Sequence, residues 1–541
     1  MTAPATTHPM MARVRTAAPL ATVRPLLAHA LLLGVAADAL MRDGPAGLGF
    51  PIWVALVALA LVALAWRDDR PIPPETRWWL ATAVVFAAGL AWRDAGMLQF
   101  FDAIASLLSL LMAATSLARP EAALMAPRLR DTIEAALGIV RSTIVGIVPL
   151  ALQTLFAAPA EAGTGQSGWP RVRAAAVALA LVLIFGALLR GADPVFASLV
   201  ALPALEVDDL VSHVILIGFF AWVTGGWARG ALADPPGTPM RLGLPFTLGT
   251  LDVTAALGAL NVLFALFLLT QLGWLFGGET FLRERTGLTA AQYARQGFFQ
   301  MVWVVLLVVP MLVVSRAALQ PGYALARRHT LLSLPLIALL GLMIVSAMAR
   351  MRLYVHFYGL SIDRIYPMVF MGWLFVVLLW LAVTVLRDWD RPFVAGAAIS
   401  ALVTLAALNV ASPDQIVARA NAARGTSALT AERYRGDRSY LAELGGEATP
   451  FAIRATVAPA AARPGTAARV IEDHDRCAAA SRLLLRWGPS SGPARRREQA
   501  TGWRTWNAGE ALAVTEVGAS TRVLRAVAHQ SCTPPARRPR P

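Results

Sequence analysis

The stretch TLLSLPLIALLGLMIVSAMA, residues 330–349, contains no charged residue. A helix needs about 20 predominantly apolar residues to cross the hydrocarbon core of a bilayer. The stretch that follows, RMRLYVHFYGLSIDRIY at 350–366, is strongly polar, and a second apolar run begins where it ends. This alternation of long apolar runs with short polar connections predicts membrane-spanning helices.

Apolar runs of similar length recur along most of the chain. Windows of about 17–25 apolar residues qualify as spans, and we find twelve candidates: 25–41, 48–66, 78–92, 97–117, 135–157, 173–190, 209–229, 252–276, 298–318, 330–349, 365–386 and 393–411. The third is shorter than this range, so the count is eleven or twelve. We therefore predict an all-α integral membrane protein, a bundle of about 12 transmembrane helices plus a C-terminal extramembrane tail. Residues 1–24 form an N-terminal polar segment, 25–411 the polytopic domain and 412–541 the tail.

The composition agrees with this class and excludes others. Of 541 residues, 57% are hydrophobic and 15% charged, whereas soluble domains carry about 25% charged residues. The chain has no lysine, so all 48 basic residues are arginine. A Schiff-base lysine and a lysine-bearing P-loop are therefore excluded. The net charge of +15 is explained by arginine in cytoplasmic loops, and we predict no nucleic-acid partner.

The distribution of arginine predicts an orientation. With a cytoplasmic N-terminus, sixteen loop arginines lie inside and eleven outside, which the positive-inside rule favours. Twelve spans then leave the tail in the cytoplasm. The alanine- and arginine-rich, lysine-free composition is typical of a GC-rich bacterium, and we predict a multi-pass protein of the bacterial cytoplasmic membrane.

The tail is basic and contains both cysteines. Residues 412–541 carry 20 arginines and 11 acidic residues, which predicts contact with the lipid bilayer through anionic head groups or with a protein partner. Residues 488–500 and the C-terminus are typical of loop or disorder. Cys477 and Cys532 predict a disulfide and hence an oxidising compartment, which conflicts with the arginine count. Three tryptophans between them indicate a small apolar core: Trp487, Trp503 and Trp506.

The polar stretch at 350–366 has three interpretations. It is a connector in which Arg350 and Arg352 fix orientation while Tyr354 joins an aromatic belt. Alternatively it is a polar cluster facing a cavity, where Arg352 binds an anion and His356 and Asp363 relay a proton or pair with the arginine. The third interpretation is a protein-contact surface. Gly359 is a candidate for the end of the helix, with Asp363 capping the next one.

Other charges fall within or beside the predicted spans, and a charge at the bilayer centre costs about 2.5–3.5 kcal/mol on insertion scales. These charges are Asp38, Asp102, Glu134, Arg141 and Asp193. Arg141 pairs with Glu134 or Asp102, or else its span begins near Ser142. Tyr293 and Arg295 lie in a predicted interfacial helix that leads into the ninth span.

Two short motifs match the patterns of known sites, but their positions in the sequence argue against those sites. GTGQSG at 163–168 follows no strand, so it does not predict a dinucleotide site. GPSSG at 488–492 lies in a linker rather than at a strand-to-helix turn, so Ser490 is not a nucleophile. The seven histidines have no metal-ligand spacing. We predict no catalytic residue, no metal site and no cofactor.

Several stretches together resemble one bacterial membrane family. They are GVAADALMRDGPAGLGFP (34–51), AWRDAGMLQFFDA (91–103), LLRGADPVFASLV (188–200), QLGWLFGG (271–278), LTAAQYARQGFFQM (288–301), RMRLYVHFYGLSIDRIY (350–366) and GWRTWNAGEALA (502–513). The pattern is similar to domain-of-unknown-function family 4173, a close relative of 4153. The resemblance implies a polytopic α-helical membrane protein and no established activity. It draws attention to Asp38, Asp193, Tyr293, Arg295, Arg350, Arg352 and Tyr354.

Three functions remain open at this point. A membrane signalling or envelope-associated protein predicts a tightly packed span bundle and a folded tail. A transporter or flippase-like permease predicts a continuous polar cavity that reaches the bilayer midplane, although the chain lacks the repeat symmetry of many transporters. An intramembrane enzyme predicts two or more titratable groups within hydrogen-bond reach in a closed pocket. The first is our leading hypothesis.

Overall fold

Helices account for nearly all of the described structure, which is a computed structural model. It describes residues 20–42, 44, 47–120, 129–146, 207–232, 246–286, 298–386, 393–424, 437–459, 466–489 and 502–532, and isolated positions 174, 178, 182, 185 and 186. The first eleven helices are α1 Leu20–Met41, α2 Gly49–Arg67, α3 Pro74–Trp92, α4 Gly96–Ala118, α5 Leu129–Val145, α6 Val207–Leu232, α7 Thr250–Thr286, α8 Phe298–Ala317, α9 Tyr323–Tyr358, α10 Ile362–Leu386 and α11 Phe393–Ala411. The others are α12 Pro413–Arg424, α13 Asp437–Leu441, the 3₁₀ turn Gly446–Ala448, α14 Thr449–Val457, α15 Ala467–Trp487 and α16 Ala508–Cys532.

Eight helices among the described residues are long and apolar enough to cross a membrane. They contain the segments Arg24–Met41, Gly49–Arg67, Gly96–Ala118, Val211–Leu232, Thr250–Thr270, Tyr323–Arg352, Ile362–Val385 and Phe393–Ala411. Each coincides with one of the twelve predicted spans. The all-α architecture of apolar helices is therefore shown, while the count of twelve stays a prediction.

The four other predicted spans have different outcomes. The run 78–92 is helical, but α3 begins with polar residues such as Glu75 and Arg77. The run 298–318 forms α8, whose apolar part, Val302–Ala317, is shorter than a full span. The run 135–157 is described only as far as residue 146, where the amphipathic helix α5 has ended. Apart from isolated helical positions, the run 173–190 lies outside the described residues.

The chain divides into two compact units. The first comprises Met1–Ala39, Leu56–Ile72 and Ala136–Thr238. Within it the end of α5 lies against α6, where the Ser142 hydroxyl donates to the Gly226 carbonyl at 3.0 Å. A Cβ at Gly226 or Gly230 would collide with Ser142. Small residues four apart thus let two helix backbones approach closely, as in membrane helix pairs.

The second unit comprises Leu40–Ala55, Pro73–Ala135 and Pro239–Pro541. An extensive apolar core is formed by α7, α8, α9 and α10, with fully buried side chains such as Leu312, Leu340 and Leu381. Helices α3 and α4 form a hairpin joined by only three residues, 93–95. Helix α11 packs on α10 and on α4. The second unit therefore contains both a helix bundle of membrane character and the helices that follow it.

The helices after α11 form a C-terminal domain, defined here as the described residues of 413–532. Its core contains Val417, Leu483, Val517 and Leu524, and it also includes Ile365 from the start of α10. Because that core takes in a residue of an apolar helix, the domain packs directly on the membrane bundle. The segments 490–500 and 533–541, which fall in the regions predicted as loop or disorder, lie outside the described residues.

The polar stretch at 350–366 contains a helix end, a short connection and a helix start. Helix α9 continues to Tyr358, and Gly359 ends it with a φ of 76°, a conformation that favours glycine. Helix α10 begins at Ile362, so Asp363 lies in its first turn rather than at the predicted capping position. The predicted helix end at Gly359 agrees with the structure. Asp363 is the second residue of α10, and the residue that precedes this helix is Ser361.

Candidate functional site

The loop between α3 and α4 binds a turn of the C-terminal domain through two reciprocal hydrogen bonds. The Gly446 amide donates to Asp94 Oδ2 at 2.8 Å. In return, the Asp94 amide donates to Glu447 Oε1 at 3.0 Å. Each carboxylate therefore accepts a hydrogen bond from a backbone amide of the other segment. Buried amides require such an acceptor.

A third carboxylate binds the same turn. Asp414, in the first turn of α12, accepts from the Gly445 amide at 2.7 Å. A Cβ at Gly445 would collide with the Asp94 carbonyl, and one at Gly446 would collide with the Gly509 carbonyl. Two consecutive glycines are thus needed because three backbone segments meet here without room for side chains.

Two arginines complete the contact, and both mainly serve as backbone donors. Arg93 donates through Nε to the Asn409 carbonyl at 2.6 Å, and its guanidinium lies 3.9 Å from Glu447. Arg486 donates to the Leu444 carbonyl at 2.8 Å and lies 3.5 Å from Asp94. We call Arg93, Asp94, Asp414, Glu447 and Arg486 the junction cluster.

Asn507 attaches the last helix to the same loop. Its side-chain oxygen accepts from the Glu510 amide, which caps the start of α16. Its side-chain amide donates to the Leu90 and Arg93 carbonyls at 2.8 and 2.9 Å. Asn507 is buried. Its side chain therefore caps the start of α16 and also binds free carbonyl groups at the end of α3.

A second set of contacts ties the C-terminal domain to the connection between α9 and α10. The side chain of Asn421 accepts from the Leu360 amide at 3.0 Å and donates to the Leu360 carbonyl at 2.7 Å. The Ile362 amide donates to the Tyr440 hydroxyl at 2.9 Å. The domain therefore binds two separate loops of the helix bundle. The polar stretch at 350–366 contains one of these docking sites.

Burial dominates the electrostatics of the junction cluster. Burial raises the pKa of Asp94 to about 7, although the nearby Arg486 guanidinium and the Gly446 amide lower it. Burial likewise raises the pKa of Asp414 to about 6, against the lowering effect of the Gly445 amide. Both carboxyls therefore change charge near neutral pH, because desolvation penalises the ionised form.

A buried polar pair lies next to the cluster, within the apolar helices. Asp102, in the second turn of α4, is fully buried. Asn409, near the end of α11, donates to Asp102 Oδ1 at 2.7 Å. We call these two residues the span pair. Since Arg93 binds the Asn409 carbonyl, the span pair is connected to the junction cluster by hydrogen bonds.

An apolar cavity of about 680 Å³ lies between α4, α10 and α11. Among the described residues, its polar lining consists of Ser109, Thr404 and Tyr366, and none of the lining residues is charged. Ser109 and Thr404 donate to carbonyls of their own helices. The cavity is within the volume range of ligand sites, but it is not the polar path that a permease of charged solutes requires.

The structure separates the predicted residues of the 350–363 stretch. Arg350 is buried, whereas Arg352 and Asp363 are exposed. Tyr354 lies under the Arg364 guanidinium, 4.4 Å from its ring centre. His356 lies in α9, and its side chain is outside the described structure. The second interpretation, a polar cluster of Arg352, His356 and Asp363 facing a cavity, stays a prediction.

The other predicted charges occupy varied surroundings. In the first unit, Asp38 is buried and contacts the His213 imidazole. On α5, Glu134 is buried and Arg141 is exposed. Three predicted residues lie outside the described structure: Asp193, Tyr293 and Arg295. Among the described residues no group of three or more His, Cys, Asp or Glu side chains is placed to hold a metal ion.

The two tail cysteines meet in the C-terminal domain. Cys477 of α15 and Cys532 of α16 form a disulfide across 55 residues of chain. Trp487 packs on the apolar core of the domain. Trp503 and Trp506 are more than one-third exposed, so two of the three tryptophans lie outside the predicted core.

Comparison with known proteins identifies the family. Residues 80–455 match a domain of unknown function, DUF4153. The chain belongs to the DUF4153 family. This is the family named above as the close relative of 4173. Among curated proteins and among solved structures, none matches the chain. The DUF4153 match includes the α3–α4 loop, the span pair and the Gly445–Glu447 turn, whereas Arg486 and Asn507 lie beyond it.

Sequence reasoning missed the junction cluster. None of its five members was among the candidates, and of the span pair only Asp102 was. The available signal was weak: Asp94 lies in a polar interruption of three residues between two helices, and Glu447 follows a pair of glycines. Neither pattern indicates that the two segments meet, because more than 350 residues separate them.

Proposed function

We propose that this DUF4153 protein is a membrane signalling or envelope-associated protein of the bacterial cytoplasmic membrane. In this role the C-terminal domain responds to the state of the membrane helices through the junction cluster. The observation that carries the proposal is the reciprocal pairing of Asp94 with the Gly446 amide and of Glu447 with the Asp94 amide. A flexible tether would need no such buried contact.

The geometry supports this function better than the two rivals. The large cavity described above is apolar, whereas a permease needs a polar path to the midplane. The carboxyls of the junction cluster are engaged by backbone amides, so they are positioned to hold a structure together rather than to exchange protons with a substrate. A folded domain on a packed helix bundle is what the signalling hypothesis predicts.

The disulfide supports an envelope-facing C-terminal domain. Disulfides persist in oxidising compartments and are rare in the cytosol, and Cys477 and Cys532 are bonded. This placement requires an odd number of spans if the N-terminus is cytoplasmic, in contrast to the twelve predicted from the sequence. The arginine-rich surface of the domain then faces anionic lipid head groups or a protein partner in the envelope.

The proposal is tested by complementation in a strain that lacks the gene. Growth under envelope stress is measured with wild type, Asp94→Ala and the control Asp68→Ala, at matched amounts of membrane-inserted protein. Asp68 is an exposed aspartate in the loop before α3, whereas Asp94 lies in the loop after it. We expect wild type and Asp68→Ala to restore growth and Asp94→Ala to fail. Full restoration by Asp94→Ala, or no growth defect in the deletion strain, would contradict the proposal.

A further inference from the structure

The span pair contains two buried oxygens that lack a hydrogen-bond donor. Asp102 Oδ2 and Asn409 Oδ1 are both buried, and neither has a partner in the described structure. Both are among the atoms nearest to the position that a Cβ of residue 89 would occupy. Both acceptors therefore lie against Gly89, where a side chain would collide with Asp102.

The orientation of the Asn409 amide is set by its other contacts. Its nitrogen donates to Asp102 Oδ1 at 2.7 Å and to the Leu405 carbonyl at 3.1 Å. Exchanging the amide oxygen and nitrogen would place an acceptor against those two acceptors. The oxygen of Asn409 therefore remains on the side of Asp102 Oδ2, and the missing donor has to be supplied by another group.

We infer that Asp102 binds a proton on Oδ2 and donates it to Asn409 Oδ1, so that α4 and α11 are joined by a carboxylic acid–amide pair. A protonated carboxyl is both a donor and an acceptor, so one proton satisfies both orphaned oxygens. The pair lies among apolar helices, where an ionised carboxylate with a single donor is costly.

The groups that face Asp102 favour this state. Asn409 of α11 is neutral, and Gly89 of α3 lies against Asp102. Tyr366 of α10, whose buried hydroxyl also has no partner among the described residues, is a neutral group within electrostatic range of Asp102, Asp414 and Glu447. The Arg93 guanidinium donates to the Asn409 and Val410 carbonyls and faces Glu447.

Proton binding at Asp102 would reach the C-terminal domain through a chain of contacts. Asp102 binds the side chain of Asn409, the Asn409 carbonyl binds Arg93, and Arg93 faces Glu447 of the docked turn. This step rests on the proposed function, since it names the proton as the input that the junction cluster transmits. The reaction is a simple protonation of a carboxylate by solvent protons.

The first test is infrared spectroscopy of the full-length protein in lipid nanodiscs at pH 7. We expect a carbonyl stretching band of protonated carboxyls in wild type, to which Asp94 also contributes, and we expect Asp102→Asn to remove a component of this band that Asp94→Asn retains. In the control Asp68→Ala the band persists. A wild-type spectrum without the band, or a band unchanged in Asp102→Asn, overturns the inference.

The second test asks whether a neutral side chain that can both donate and accept is sufficient at position 102. Asn at position 102 can donate to Asn409 Oδ1, so Asp102→Asn keeps both hydrogen bonds of the pair, whereas Asp102→Ala loses both. We expect Asp102→Asn to retain the wild-type midpoint of thermal unfolding and Asp102→Ala to lower it by several degrees. Equal losses in both variants mean that the ionised form is the native one and overturn the inference. The infrared result does not depend on docking, so failure of the proposed function leaves it intact.

Discussion

At the scale of single residues, desolvation determines the pKa values of Asp94 and Asp414 in the junction cluster. Burial raises the pKa of Asp94 to about 7 and that of Asp414 to about 6, from about 3.8 in an exposed chain. The docked state therefore binds more protons than the undocked state between pH 4 and 7. The stabilising contribution of protonation is fully present below pH 4, and it is lost as the pH rises through 6 to 7.

We therefore predict that docking of the C-terminal domain weakens from pH 5 to pH 8. The unfolding midpoint of the domain, measured in nanodiscs, should fall by several degrees over this range. Three charged groups act on Asp94: Arg486 of α15, Glu510 of α16 and Glu447 of the docked turn.

Asp94→Asn should reduce this pH dependence, because asparagine retains an acceptor for the Gly446 amide and does not ionise. Asp68→Asn, at an exposed position, should leave it unchanged. A midpoint that rises with pH, or a dependence that Asp94→Asn does not alter, would contradict the assignment.

At the scale of elements, α15 and α16 are held together by packing and by the Cys477–Cys532 disulfide. In the chain-entropy account, a disulfide stabilises by restricting the unfolded state, typically by about 2–4 kcal/mol. The two helices carry much of the domain's core and also present Arg486 and Asn507 to the α3–α4 loop. Loss of the disulfide would therefore weaken the docked face as well as the core.

The bonded cysteines predict which compartment contains these helices. Intact cells are treated with a membrane-impermeant thiol reagent, with and without prior reduction by an impermeant phosphine. We expect labelling only after reduction, which places α15 and α16 on the envelope side. A Cys477→Ser, Cys532→Ser double variant is the negative control. Labelling that requires cell lysis would instead place the domain in the cytoplasm, in agreement with the arginine count.

At the scale of the whole molecule, local signals predicted the helices well and their long-range contacts poorly. Uncharged runs such as 330–349 predict a membrane helix because the bilayer fixes both length and composition. Gly359 predicts a helix end because its positive φ is costly for other residues. The pairing of Asp94 with Gly446 has no local signal, since it depends on how a distant domain packs. Asp102 was a candidate because any charge within an apolar run needs a partner, but the sequence did not identify Asn409 as that partner.

The central claim is that the C-terminal domain is docked on the helix bundle through the Asp94–Gly446 contact. It is tested most directly by hydrogen–deuterium exchange of the peptide that contains residues 445–447, in the full-length protein in nanodiscs. Leaving a buried amide such as that of Gly446 without its acceptor costs about 1–3 kcal/mol, and 1.4 kcal/mol corresponds to a tenfold change. We predict at least about tenfold faster exchange in Asp94→Ala than in wild type, and no change in Asp68→Ala. Exchange that is rapid in wild type, or equally slow in Asp94→Ala, would show that the domain is not held by this contact.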